Sequence, residues 1–271
     1  MIPEVPFIDA DDGVRIHVQD LGDGPAVVLI SGFGLDHELW DRQVRVLTGR
    51  GFRVLCVDQR GHGFSDNPLD GYDIDRLAAD LVAALTRLDV GNATVVGHSF
   101  GGQVAFRAAA TAPELCTALV LVGSNGVRAS RSDEFPFGGP PEPLLAGMQA
   151  EEHANRVGSR YRTIATAFAH EPDPRTVDWL VRCSLRMPSW AATACYRSLL
   201  TTDLLADIPR IDQPVLQVIG TNDPVHSAKG ARWLQQQLKN ATLVEIPDCG
   251  HYPMLEAPDA FESALLQFVT A

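Results

Sequence analysis

The hydrophobic pattern predicts an α/β chain: a mostly parallel central sheet flanked by helices and interrupted by a helical insertion. Three observations carry that prediction. Short β-branched runs alternate with amphipathic stretches, the order expected when helices cover both faces of a sheet. Several of those runs, such as Ala26–Ile30, are apolar throughout, as strands buried on both faces must be. Between Gly126 and about Asp207 the strand pattern stops and only helical segments follow.

The elements come in order. Gly13–Asp20 alternates with Val14, Ile16 and Val18 on one face, so it reads as a half-buried strand. Gly22-Asp23-Gly24-Pro25 is a turn, and strand Ala26–Ile30 follows it. Trp40–Gly49 is helical and Phe52–Val57 is a strand; Ile74–Leu88 then spaces Leu77, Leu81, Ala84, Leu85 and Leu88 along one helical face. Ala93–Val96 is a strand, Gly102–Ala112 an alanine-rich helix, and Ala118–Val122 the next strand. Past the insertion, Val215–Ile219 and Thr242–Ile246 are strands, and Pro258–Val269 closes the chain as a helix. The insertion opens on the Pro/Gly-rich stretch 135–141. It divides the chain into a core, 1–125 with 208–271, and a helical cap or lid, 126–207.

Composition narrows the function. With 271 residues, 45% hydrophobic and 21% charged, the chain is an ordinary globular one. A net charge of −12 speaks against nucleic acid, whose phosphates call for a basic face. Met1–Pro6 shows neither the basic nor the apolar region of a signal peptide. No apolar run approaches the ~20 residues that span a bilayer. A cytoplasmic protein without membrane contact is the expectation. The five cysteines, Cys56, Cys116, Cys183, Cys195 and Cys249, show no metal-ligand spacing and suit reduced thiols.

The chemistry is concentrated in four places. Gly97-His98-Ser99-Phe100-Gly101 sits between a strand and a helix. A serine there occupies a sharp turn that pushes its hydroxyl out at the end of the sheet, and small residues two before and two after relieve the crowding. The turn also puts the Phe100 N–H at a helix N-terminus, where partial positive charge favours an oxyanion. A second oxyanion donor is expected from Ser31-Gly32-Phe33-Gly34, after strand Ala26–Ile30, with the Phe33 N–H as candidate. Serine needs a base. His251, in the loop between the last strand and the last helix, returns to the same edge. His98 is expected to point away across the tight turn, and His17, His37, His62, His153, His170 and His226 have less reason to converge. Asp223, at the end of strand Val215–Ile219, is the acid that would orient the base, because the loop after Ala118–Val122 holds no carboxylate. Asp248, three residues before His251, is the weaker rival.

These features resemble the α/β-hydrolase superfamily over nearly the whole chain. The matching stretches are Ser31–Gly34, Asp58–Asp66, Gly97–Gly102, Asp223 and Gly250-His251. The closest likeness is to its branch of small esterases, enol-lactonases, C–C bond hydrolases and cofactor-free haloperoxidases. The resemblance implies Ser99 as nucleophile, Asp223 as acid and His251 as base, with Asp58–Asp66 an ordered loop flanking the pocket. Members often carry histidine where this chain has Ser31, which puts the oxyanion-loop geometry in question. Serine at position 99 separates the chain from dehalogenases and epoxide hydrolases, which use aspartate there.

The expected function is hydrolysis of a small, largely apolar carboxylic ester or lactone through an acyl-enzyme on Ser99, with no metal and no organic cofactor. Trp40, Met148, Tyr161, Trp179 and Trp190 are candidate pocket residues. A C–C bond hydrolase acting on a vinylogous diketone would use the same triad. A receptor-like binder with slow or no turnover is the alternative from another class.

Overall fold

A computed structural model describes residues 7–271; the leader reading at Met1–Pro6 lies outside them. The chain runs β1 (Phe7–Asp9), β2 (Arg15–Leu21), β3 (Ala26–Ile30), α1 (Asp41–Thr48), β4 (Arg53–Val57), α2 (Ile74–Arg87), β5 (Ala93–His98), α3 (Phe100–Thr111) and β6 (Cys116–Val122). Three helices follow without a strand, α4 (Pro141–Ala165), α5 (Pro174–Ser184) and α6 (Ser189–Thr201). The chain then returns through β7 (Val215–Gly220), α7 (Ala228–Gln237), β8 (Ala241–Ile246), α8 (Pro253–Glu256) and α9 (Pro258–Val269). The eight strands form one sheet in the order β1-β2-β4-β3-β5-β6-β7-β8. β2 runs antiparallel to both of its neighbours, β1 and β4, at one end of the sheet, and every other pairing is parallel.

Side-chain alternation divides the apolar residues of each central strand between two cores. Val28 and Ile30, Leu55 and Val57, and Leu119 and Leu121 face a core completed by α2 and α3. Val27 and Leu29, Val54 and Cys56, and Val120 and Val122 face a second, completed by α1 and α9. A strand apolar on both faces can satisfy both only at the centre of a sandwich of helices. All five cysteines are buried and unpaired. Among the described residues no helix is long and apolar enough to cross a membrane.

Boundaries differ from the sequence reading in instructive ways. The predicted helix Trp40–Gly49 is preceded by a 3-10 turn, His37–Trp40, whose first free N–H, that of Glu38, is capped by the Asp36 carboxylate. α3 begins at Phe100, two residues before the predicted start, because the helix follows the serine turn with no linker. α7 received no element in the sequence reading. Its buried face is made by Gly230, Ala231 and Leu234, too small a stripe to register as periodic.

Candidate active site

Ser99 stands between β5 and α3 with φ 52° and ψ −117°, a backbone state that costs a non-glycine residue about 1–3 kcal/mol. The fold holds it there from both sides. The Ser99 N–H donates to Val122 O at 2.9 Å, and Ser99 O accepts from Gly102 N (2.9 Å) and from Ser124 Oγ (2.8 Å). Gly97 explains the sequence pattern, since a Cβ there would lie 2.4 Å from Gly101 O.

The oxyanion loop lies against this turn, and a Cβ on Gly32 would come within 2.9 Å of Ser99 Cβ. Among the described residues neither the Phe33 N–H nor the Phe100 N–H donates to a protein acceptor. Ser31 fits its place by closing the loop on itself: its Oγ donates to Asp36 O at 2.6 Å and its carbonyl accepts from Gln59 Nε2 at 2.9 Å. The loop is therefore ordered without the histidine common elsewhere.

His251 Nδ1 lies 2.9 Å from Asp223 Oδ2, and both side chains are buried. The other carboxylate oxygen accepts from the N–H groups of Val225 (2.7 Å) and His226 (2.9 Å), so Asp223 is held independently of His251. Burial opposes its ionisation, but His251 and the His226 N–H outweigh burial and hold the Asp223 carboxyl below its ordinary range. Asp248, the rival acid, is exposed at the surface. The loop of His251 is tied down as well. The His251 N–H donates to Ala167 O at 2.9 Å, and the Glu256 carboxylate collects the N–H groups of Ala169 (2.8 Å), Gly250 (2.9 Å) and Tyr252 (2.9 Å).

Two histidines that the sequence reading set aside pack on His251. His98 does not point away: its Nε2 lies 2.9 Å from the His251 carbonyl, and its ring lies 4.8 Å from that of His251. His226 stacks on the other side at 5.6 Å and an interplanar angle of 15°, with neither ring nitrogen partnered by the protein among the described residues. Their burial could not be read from the sequence, because it follows from where the two loops meet. Burial, with the neighbouring His251, pushes the His98 pKa down to about 3 and that of His226 down to about 4.

Ser99 and His251 open on one cavity of about 80 Å³, lined also by Phe33, Met148, Arg160 and Ile164. Of the five predicted pocket side chains, Met148 takes this position. Trp40 is wholly buried beneath His98, with ring centroids 6.5 Å apart. Trp179 bonds Glu38 at 3.1 Å in a separate groove, Trp190 reaches Pro68 O at 3.0 Å from an exposed position, and Tyr161 is exposed. Helical spacing does not tell which face of an inserted helix meets the core, and here it chose the wrong faces. Arg160 and Ile164, one turn apart on α4, line the cavity instead.

The Asp58–Asp66 stretch is an ordered loop. Asp58 is buried and accepts from His17 Nδ1 (2.7 Å), His37 N (2.7 Å), His37 Nδ1 (2.9 Å) and Phe64 N (3.0 Å). His17, His37 and Asp58 are close enough together to hold a metal ion, but the carboxylate oxygens already serve these four donors.

The comparisons agree with this fold. The family model for the alpha/beta hydrolase fold matches residues 25–258. The chain belongs to the α/β-hydrolase fold family. It is 37% identical, over 92% of its own length and 97% of the relative's, to a pimeloyl-(acyl-carrier protein) methyl ester esterase of Nitrosomonas europaea. It is 33% identical to a non-heme chloroperoxidase of Streptomyces lividans, over 97% and 98% of the two chains. Among solved structures, an esterase from Exiguobacterium antarcticum superposes with a TM-score of 0.95 at 25% identity, covering 99% of this chain and 100% of that one. Within the family, relatives are named both as esterases and as enol-lactonases, so this member is a hydrolase by kinship.

Proposed function

We propose that the protein is a serine hydrolase of small, largely apolar carboxylic esters or lactones, acting through an acyl-enzyme on Ser99. The observation that carries the proposal is the strained Ser99 turn opening on the same cavity as a buried His251–Asp223 pair. Ser99 Oγ attacks the carbonyl carbon while His251 takes its proton. Asp223 holds the ring in the required tautomer and stabilises the imidazolium. The N–H groups of Phe33 and Phe100 receive the oxyanion, at the stage where such donors contribute most. Collapse expels the alcohol, which takes its proton from His251. Water activated by the same ring then releases the acid and restores Ser99. In a lactone both products stay on one molecule, and the same steps apply. The small cavity supports an acyl group of few carbons, and the acidic chain supports neither nucleic acid nor a membrane as partner.

The test is p-nitrophenol release from an acyl series, acetate to decanoate, by the wild type and Ser99→Ala. The expected result is turnover by the wild type, fastest at six carbons or fewer, and loss of at least about three orders of magnitude in Ser99→Ala. Equal activity in the two proteins would remove Ser99 as nucleophile, and inactivity of both would remove ester hydrolysis.

A further inference from the structure

Arg160 is a buried cation that the proposed chemistry does not use. Its side chain is 2% exposed, yet it lines the cavity that Ser99 and His251 open on. A guanidinium in that setting is stable only with close partners. Nε and Nη2 donate to the two oxygens of Glu152 at 2.9 and 3.0 Å, and Nη1 donates to Ser184 O at 2.9 Å. The face of the guanidinium lies 5.0 Å from the centre of the Phe33 ring, which in turn stacks on Tyr196 at 4.2 Å. Gly34 leaves the space: a Cβ there would lie 3.0 Å from Nη1. The group is thus fixed between α4, the end of α5 and the loop that carries the oxyanion donor.

A guanidinium has five N–H groups. Three are accounted for, and the other two have no protein acceptor among the described residues. Tethering a lid would need only the bonds to Glu152 and Ser184. A donor held rigidly at the wall of an otherwise mainly apolar cavity can do more, because a substrate lacking the matching acceptor leaves it unpaired. Glu152 sets the kind of acceptor. Its carboxylate takes two of the hydrogen bonds of Arg160 and offsets its charge in a dry site, while the other cation near it, Arg156 at 3.6 Å, is one-third exposed and keeps contact with solvent; a neutral oxygen therefore pairs with the remaining N–H groups of Arg160 at lower desolvation cost than a second carboxylate.

Building on the serine-hydrolase reading, we propose that Arg160, positioned by Glu152, is a specificity-determining residue that selects acyl groups carrying a neutral carbonyl acceptor. The substrate class is then oxo-acyl esters or lactones, as against plain alkanoates.

The experiment uses matched esters. p-Nitrophenyl 4-oxopentanoate and 5-oxohexanoate are compared with 4-methylpentanoate and 5-methylhexanoate, which replace the ketone by a branch of the same shape, and with the half ester of succinate. The enzymes are the wild type and the double variant Glu152→Gln/Arg160→Met, which removes both charges at nearly constant volume. The wild type is expected to favour at least one oxo ester over its branched partner, in kcat/KM, by about tenfold more than the double variant does. An equal loss on oxo and branched esters would make the pair a structural clamp and overturn the proposal. Preference of the wild type for the succinate half ester over the oxo esters would overturn the neutral-acceptor assignment. Should the double variant fail to fold, Arg160→Lys keeps the charge opposite Glu152 but loses the planar fork, and the oxo preference should still shrink. A binding measurement separates this proposal from the hydrolase reading. The N-methyl amides of 4-oxopentanoic and 4-methylpentanoic acids, titrated into the wild type by NMR, should show the same preference without turnover. Indifference there overturns the role of Arg160 even if ester hydrolysis is confirmed.

Discussion

His226 makes the stability of this protein depend on pH in a way that one substitution can isolate. The ring is buried against His251, and burial holds its pKa at about 4 against an ordinary 6.5. The folded state therefore binds the proton less readily than the unfolded chain does. The resulting stability is fully present above pH 6.5 and is lost as pH falls toward 4. At about 1.4 kcal/mol per pKa unit the full interval is worth about 3 kcal/mol, most of it lost by pH 4.5. His226→Leu, of similar volume, removes the titrating ring along with two buried nitrogens that have no protein partner. Urea unfolding at pH 7.5 and pH 4.5 is the assay. Between the two pH values the variant should gain about 2–3 kcal/mol on the wild type. If both proteins lose the same stability, the neutral buried ring is not what the acid attacks, and the argument fails. His62 and His98, held at about 4 and about 3 by burial, act in the same direction and keep the wild type acid-sensitive. His37 acts in the opposite direction. Asp58 raises its pKa against the effect of burial, so its contribution is present below 6.5 and fades as pH rises through the folded value.

Two further outcomes are expected. Asp223→Asn should fold normally and lose about two to four orders of magnitude in kcat on p-nitrophenyl esters, because the amide cannot stabilise the imidazolium; an unchanged kcat would exclude Asp223 as the orienting acid. Gly97→Ala places a Cβ 2.4 Å from Gly101 O, so the serine turn must shift, at a cost of about 2–3 kcal/mol or roughly 4–6 °C in Tm by calorimetry; a Tm equal to the wild type would mean that the turn is looser than described.

The central strands were legible because each carries apolar residues on both faces, and few folds bury a strand twice. Ser99 was legible because its flanking glycines are required by backbone contacts a few residues away, which a local motif records. His251 and Asp223 could be placed because both follow strands, and the ends of parallel strands lie at one edge. Contacts between loops were not legible. Nothing near His98 or His226 in the chain shows that their rings will flank His251, and nothing in the spacing of Tyr161, Trp179 and Trp190 shows that their faces look away from the cavity. Arg160 was missed for a related reason. A lone arginine on a helix reads as surface until its partner Glu152, eight residues earlier, is seen to bury it.

The three amides gathered by Glu256 bear on how the cavity can admit a substrate. One of them, Ala169, lies just past α4, while the other two flank His251; Ala167 O accepts directly from the His251 N–H. The stretch just past α4 is thereby tied to the loop of His251 and cannot swing outward without dragging the imidazole off the Asp223 carboxylate. Whatever admits a substrate must therefore leave this stretch, with the cavity-lining Ala167, in place.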